Sequence, residues 1–144
     1  METRVIVLAA GKGKRMKSEL PKVLTLLRGR PMITYLLDAI ARSGVDSRPT
    51  LVIGTGADLV EQQLGGGYDY VLQEELLGTG HAVSCAMKEM KDSGDAIIVL
   101  YGDHPFVKAE TIQKLKATHE AQQPALTMVT VLLDDFEGWR APFY

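Results

Sequence analysis

The chain has one cysteine, Cys85, in 144 residues, so no intramolecular disulfide can form, and a reducing cytoplasm is the compartment that fits. It has no apolar run long enough to span a bilayer. The N-terminus runs straight into a strand-like segment and leaves no room for a signal peptide. Net charge is only −2, from 16 basic and 18 acidic residues. Neither nucleic acid nor a membrane surface is therefore expected as a partner on global electrostatic grounds. Tandem repeats, low-complexity tracts, zinc-ligand spacing and a nucleophile motif are also missing. What remains is the composition of an ordinary globular domain, 46% hydrophobic and 24% charged. A chain of this length can bury a real core.

The basic residues matter locally, where Lys12, Lys14, Arg15 and Lys22 crowd around one loop. Val5-Ile-Val-Leu-Ala-Ala-Gly-Lys-Gly-Lys-Arg-Met16 is followed by Leu20-Pro-Lys-Val-Leu24. The apolar run reads as a strand buried on both faces of a parallel sheet. The loop after it holds Gly11, Lys12, Gly13, Lys14 and Arg15, with Lys22 close behind. Glycines let backbone N–H groups approach a ligand, Arg offers a planar fork to phosphate, and Lys supplies a point charge. Two familiar phosphate loops are excluded. The dinucleotide fingerprint needs a third glycine where Arg15 and Met16 stand, and the Walker loop needs Gly-Lys-Ser/Thr.

Further along, Pro31 opens an amphipathic helix that ends at Ser43-Gly44. Thr50 to Gly54 reads as a strand and Ala57 to Leu64 as a helix. Tyr68 to Gln73 is a short strand and Thr79 to Met90 a helix. Ala96 to Tyr101 reads as a second doubly buried strand, Ala109 to Gln122 as a helix and Ala125 to Leu133 as a strand. Strand and helix alternate, which predicts an α/β fold: a mostly parallel sheet with helices on both faces. Ligands of such sheets bind beyond the carboxyl ends of the strands, where Gly11, Gln73 and Asp103 all fall.

Two segments at those ends carry polar groups suited to a nucleotide. In Gln73-Glu-Glu-Leu-Leu-Gly-Thr-Gly-His-Ala82, a glutamine amide offers the donor and acceptor that match the N3–H and O4 edge of uracil. Gly78 and Gly80 would admit a base, and Thr79 could contact it while capping the helix. By spacing alone, Gly-Thr-Gly reads equally as a plain loop and cap. In Tyr101-Gly-Asp-His-Pro105, Asp103 suits Mg²⁺, which takes one or two carboxylates plus substrate phosphates. A solvated aspartate in a turn before proline is the competing reading. His81, His119 and Cys85 have no acid–base partner visible in sequence. They read as an early helix residue near the base pocket, a surface residue and a packing residue. His104 reads as exposed, with a water-mediated metal contact as the alternative.

The pattern Leu-Ala-Ala-Gly-x-Gly-x-Arg-Met with Pro21-Lys22, together with Gln73-x-x-x-x-Gly-Thr-Gly-His-Ala82 and Gly102-Asp103, resembles the sugar-nucleotidyltransferases. Within them it is similar to the bacterial N-acetylglucosamine-1-phosphate uridylyltransferases. The resemblance covers essentially the whole chain and corresponds to the N-terminal part of the catalytic domain. It implies a three-layer, Rossmann-like nucleotide-diphospho-sugar transferase fold. It also implies a Mg²⁺-assisted reaction of UTP with a sugar 1-phosphate that releases pyrophosphate. Arg15 and Lys22 would take the catalytic, phosphate-handling roles. Leu8, Ala10, Gly11, Gly13, Gln73, Gly78, Thr79 and Gly102 would bind the nucleotide. Lys22 and Tyr101 would line the sugar and phosphate pocket, and Asp103 would bind the metal.

Family catalytic domains are longer, and neither their acceptor-sugar residues nor their late metal-binding Asn can be located here. No hexapeptide repeat is present, so residues 1–144 are expected to form one nucleotidyltransferase domain without an acetyltransferase β-helix. Phe136, Trp139, Phe143 and Tyr144 place four of the nine aromatics in the last nine residues. That ending suggests a chain cut before its core is finished, or an edge that packs on a partner or self-associates. Two functional classes follow: part of a uridylyltransferase, or a module that binds UTP or a sugar nucleotide without turning it over.

Overall fold

The computed structural model describes residues 1–11, 20–92, 94–135 and 137–138. Gly13, Arg15, Lys12 and Lys14 lie outside the described residues, as do Phe136, Trp139, Phe143 and Tyr144.

The first strand, β1 (Thr3–Leu8), is built as its apolar run predicts: Val5, Ile6 and Val7 have no solvent exposure. Three more strands join it, β4 (Thr50–Ile53), β5 (Asp69–Leu72) and β6 (Ala96–Tyr101), in the order β5-β4-β1-β6. Every pairing in this sheet is parallel. A small antiparallel hairpin, β2 (Leu26–Leu27) with β3 (Arg30–Pro31), stands apart.

The helices cover both faces. α1 (Met32–Ser43), α2 (Ala57–Leu64) and α4 (Ala109–Gln122) occupy one side. Ile33, Leu36 and Ile40 of α1, Val60 of α2 and Ile112 of α4 pack there against Val5, Val7, Leu51 and Ile53. Each such large aliphatic side chain taken out of water contributes about 1.5–3 kcal/mol. On the other side lies α3 (Thr79–Glu89), whose Ala82 and Ala86 meet Ile6 and Val52. Two alanines at the contact let this helix approach β1 and β4 closely. Three layers result, as the resemblance implies.

Two expectations are corrected. β6 is not buried on both faces: Val99 is 38% exposed and Tyr101 44% exposed. Among the described residues it forms an end of the sheet, and α3 packs over β1, β4 and β5 instead. An apolar run reads the same in sequence whether one or both faces are covered. Ala125 to Leu133 forms no strand, and Leu126, Met128, Val129, Val131 and Leu132 are exposed. Alternation equips a segment for pairing, but a strand also needs a neighbouring edge. This segment pairs with none among the described residues. His119 on α4 is half-buried rather than on the open surface, and its Nδ1 lies 2.9 Å from the Thr127 hydroxyl.

One buried carboxylate supports the start of the sheet. Asp46 accepts the Val5 N–H at 2.8 Å and the Arg48 N–H at 3.0 Å, with Arg4 Nε 3.5 Å away. Asp46→Ala leaves buried donors without a partner, so unfolding free energy should fall by about 1–3 kcal/mol in chemical denaturation. A change below ~0.5 kcal/mol would show that water replaces the carboxylate at little cost.

Candidate nucleotide site

The carboxyl ends of β1, β5 and β6 open on one cavity of about 260 Å³. Backbone bonds hold its floor together: Ala9 N–H to Val52 O, Gln73 N–H to Ile53 O and Gly102 N–H to Leu8 O, all at 2.8–2.9 Å. Leu8, Ala10, Gly11, Gln73, Gly78, Thr79, Lys22, Tyr101 and Asp103 all line it. These residues come from five separate segments. Gly102 does not line the cavity. It is buried, and a Cβ there would stand 3.0 Å from Val23 Cγ1 and 3.1 Å from Leu8 O. Glycine at this position lets the segment with Lys22 lie against the ends of β1 and β6.

Lys22 is presented by a short 3-10 turn, Lys22–Leu24. Val23 and Leu24 behind it are buried in the core, so the backbone under the lysine is anchored. Its Nζ sits 2.5 Å from Asp103 Oδ2. Burial works against the Asp103 charge, but the hydrogen bond and positive charge of Lys22 outweigh it, with help from His104. The carboxyl is held below its ordinary value of 3.8. His104 is exposed, with Nε2 3.8 Å from Asp103 Oδ1 and its ring tilted over Tyr101 at 5.2 Å.

Among the described residues, no group of three or more His, Cys, Asp or Glu could cage a metal. A single ionised carboxylate on the cavity wall does fit Mg²⁺, which often binds through one or two carboxylates and completes its shell with phosphates and water.

On the far wall, Gln73 is only 4% exposed. Its Nε2 donates to Gly78 O at 3.3 Å and lies 3.0 Å from His81 Nδ1. Gly78 precedes α3 at φ +101°, a conformation that disfavours any side chain. The helix therefore starts at Thr79 with no side-chain cap, which corrects the capping role expected for Thr79. Leu76 and Ala82 also line the cavity and were not singled out by sequence. Both are ordinary apolar residues, and only the folded wall gives them a place. The partnership of Gln73 with His81 was missed as well.

Comparison with known proteins gives a consistent picture. Residues 5–136 match the MobA-like NTP transferase domain. A bifunctional protein GlmU from Exiguobacterium is 45% identical over 139 residues, which are 96% of this chain and 31% of that protein. The GlmU protein of Caldicellulosiruptor saccharolyticus is 42% identical over 93% of this chain and 29% of its own length. The chain thus spans about a third or less of these curated relatives. Among solved structures, the Rv0371c protein of Mycobacterium tuberculosis, in complex with manganese, superposes with a TM-score of 0.68. It is 24% identical, covering 84% of this chain and 61% of that one.

Proposed function

The chain belongs to the MobA-like NTP transferase domain family, and from that premise we propose that it carries the nucleotide-binding part of a uridylyltransferase. The reaction joins UTP to a sugar 1-phosphate, N-acetylglucosamine 1-phosphate by resemblance, and releases pyrophosphate. The observation that carries this reading is the meeting of Lys22, Asp103 and Gln73 on one cavity. A cation, a carboxylate and a buried amide there are the groups needed for a phosphate, a metal and a base.

In the proposed reaction a phosphate oxygen of the sugar 1-phosphate attacks the α-phosphorus of UTP in line. A new P–O bond forms as the α–β P–O bond breaks, and pyrophosphate departs with the electron pair. No protein nucleophile is required, because positioning and charge neutralisation dominate phosphoryl transfer. Lys22 holds the α-phosphate and the incoming sugar phosphate, and Arg15 holds the β- and γ-phosphates. Leu8, Ala10, Gly11 and Gly13 take the role of binding the nucleotide, and Gln73, Gly78 and Thr79 that of meeting its base. Tyr101 lies beside the sugar. Asp103 would hold Mg²⁺, which supplies further neutralisation of phosphate charge.

Calorimetric titration with UTP, with and without Mg²⁺ and with CTP and GTP as controls, tests the reading. Mg²⁺-assisted binding selective for UTP is expected. Equal binding of GTP would overturn the choice of uracil, and absence of any triphosphate binding by the folded protein would overturn the site.

A further inference from the structure

We infer that His81 is a positioning residue that fixes the Gln73 amide with its oxygen toward the cavity, so that the site accepts an N–H from uracil N3 and disfavours cytosine. The inference rests on the uracil reading above and adds the device that would enforce it.

The chemistry of the neighbours sets the amide orientation. A carbonyl oxygen can only accept, so the Gln73 atom facing Gly78 O at 3.3 Å must be the nitrogen. The same nitrogen lies 3.0 Å from His81 Nδ1, the shorter of the two contacts. Both hydrogens of the NH₂ group are then committed inside the protein. His81 Nδ1 must act as the acceptor, which puts the ring hydrogen on Nε2. That atom is 3.6 Å from Cys85 Sγ, one turn further along α3. A weak sulfur acceptor there suits the Nε2–H tautomer and steadies the ring. Gln73, His81 and Cys85 thus form a chain of contacts of which only Gln73 lines the cavity.

This changes what Gln73 can offer a base. A free glutamine amide could donate or accept, but here only Oε1 is left for a ligand. Uracil presents N3–H between two carbonyls and meets that oxygen as a donor. Cytosine presents a lone pair at N3, so oxygen would face nitrogen with no hydrogen between them. A polar site that leaves a buried group unpaired with the wrong ligand discriminates strongly. Removing the His81 acceptor would orphan one buried N–H and leave only the longer, 3.3 Å bond to Gly78 O to hold the amide, so its nitrogen could turn toward the base more readily.

The test is titration of UTP and CTP, each with Mg²⁺, into the wild-type protein and its Gln73→Ala, His81→Phe and His81→Asn variants. Phe keeps a ring and loses the acceptor, whereas Asn returns an oxygen near the position of Nδ1. His81→Phe should lower the UTP-to-CTP preference about tenfold, the size of one hydrogen bond, while His81→Asn retains most of it. A purely structural role for His81 would weaken both nucleotides alike and leave their ratio unchanged, which would overturn the inference. If the wild type is selective and Gln73→Ala abolishes selectivity while His81→Phe keeps it, the base reading stands and the role of His81 falls. If the wild type binds UTP and CTP equally, the base reading itself fails. Should His81→Phe not fold, ¹⁵N spectra of the wild-type imidazole decide. The Nε2–H form is required, and an Nδ1–H form would overturn the inference.

Discussion

Replacement of Lys22 by alanine is expected to lower the rate of pyrophosphate release by ~10²-fold or more, the usual cost of losing a phosphate clamp. The same variant should bind Mg²⁺ more tightly in the absence of nucleotide. The two effects have opposite signs because Lys22 has two partners in turn. Without ligand, its Nζ lies 2.5 Å from Asp103 Oδ2 and occupies the carboxylate that a metal would use. With nucleotide bound, the proposed role moves that charge onto phosphate. Removing the lysine frees Asp103 and also removes the main influence that keeps its carboxyl below 3.8. Burial then acts with less opposition and protonation moves to higher pH, so the acid limb of any Asp103-dependent binding should shift upward. Steady-state rates and metal titration across pH check both parts. Near-normal turnover would remove Lys22 from the phosphate site, and unchanged Mg²⁺ affinity would show that the ion pair does not compete with metal. Arg15→Ala should cost a similar ~10²-fold in turnover with no gain in metal affinity.

The parts of the fold that were legible in sequence are those set by local pattern. The run Val5 to Leu8 reads as a buried strand and lies in β1, and the apolar spacing of α1 ends at Gly44, which takes the left-handed conformation that closes the helix. α2 and α4 likewise fall where periodicity and glycine or polar boundaries put them. The β2–β3 hairpin was not legible, because two residues per strand show no period and Pro31 argues against a strand. The one-sided burial of β6 and the unpaired state of Ala125 to Leu133 depend on which element lies alongside, which no window of sequence contains. The site divides in the same way. Gly11, Gln73 and Asp103 were placed at one rim by the rule for parallel sheets, and they line one cavity. The His81–Cys85 contact had a weak local signal, since residues four apart on a helix are neighbours. That Gln73 closes the chain at the other end required the crossing of β5 and α3. The consequence is chemical: sequence gives the glutamine both a donor and an acceptor, and folding leaves it the acceptor.

Asp103→Asn isolates the charge from the shape of the metal-side wall. Asparagine preserves the size of the side chain and an acceptor oxygen for Lys22, but it offers a metal no negative charge. Turnover is expected to fall by ~10²–10³-fold, the range seen when one preorganised electrostatic contact is lost. Mg²⁺ should no longer assist UTP binding. The preference for UTP over CTP should survive, because Gln73 stands at the end of β5, on a different wall held by its own bonds to Gly78 and His81. Stability gives an independent reading. The folded state lowers the Asp103 pKa, so the ionised carboxylate contributes stability above its ordinary value of 3.8, and that contribution is lost as pH falls through the lower folded value. The melting temperatures of wild type and variant should therefore differ by a constant amount near neutral pH and converge in acid below that value. A variant that keeps Mg²⁺-assisted binding would move the metal away from Asp103. One that loses base selectivity along with metal dependence would show that the two walls of the cavity are a single coupled unit rather than separate devices for phosphate and base.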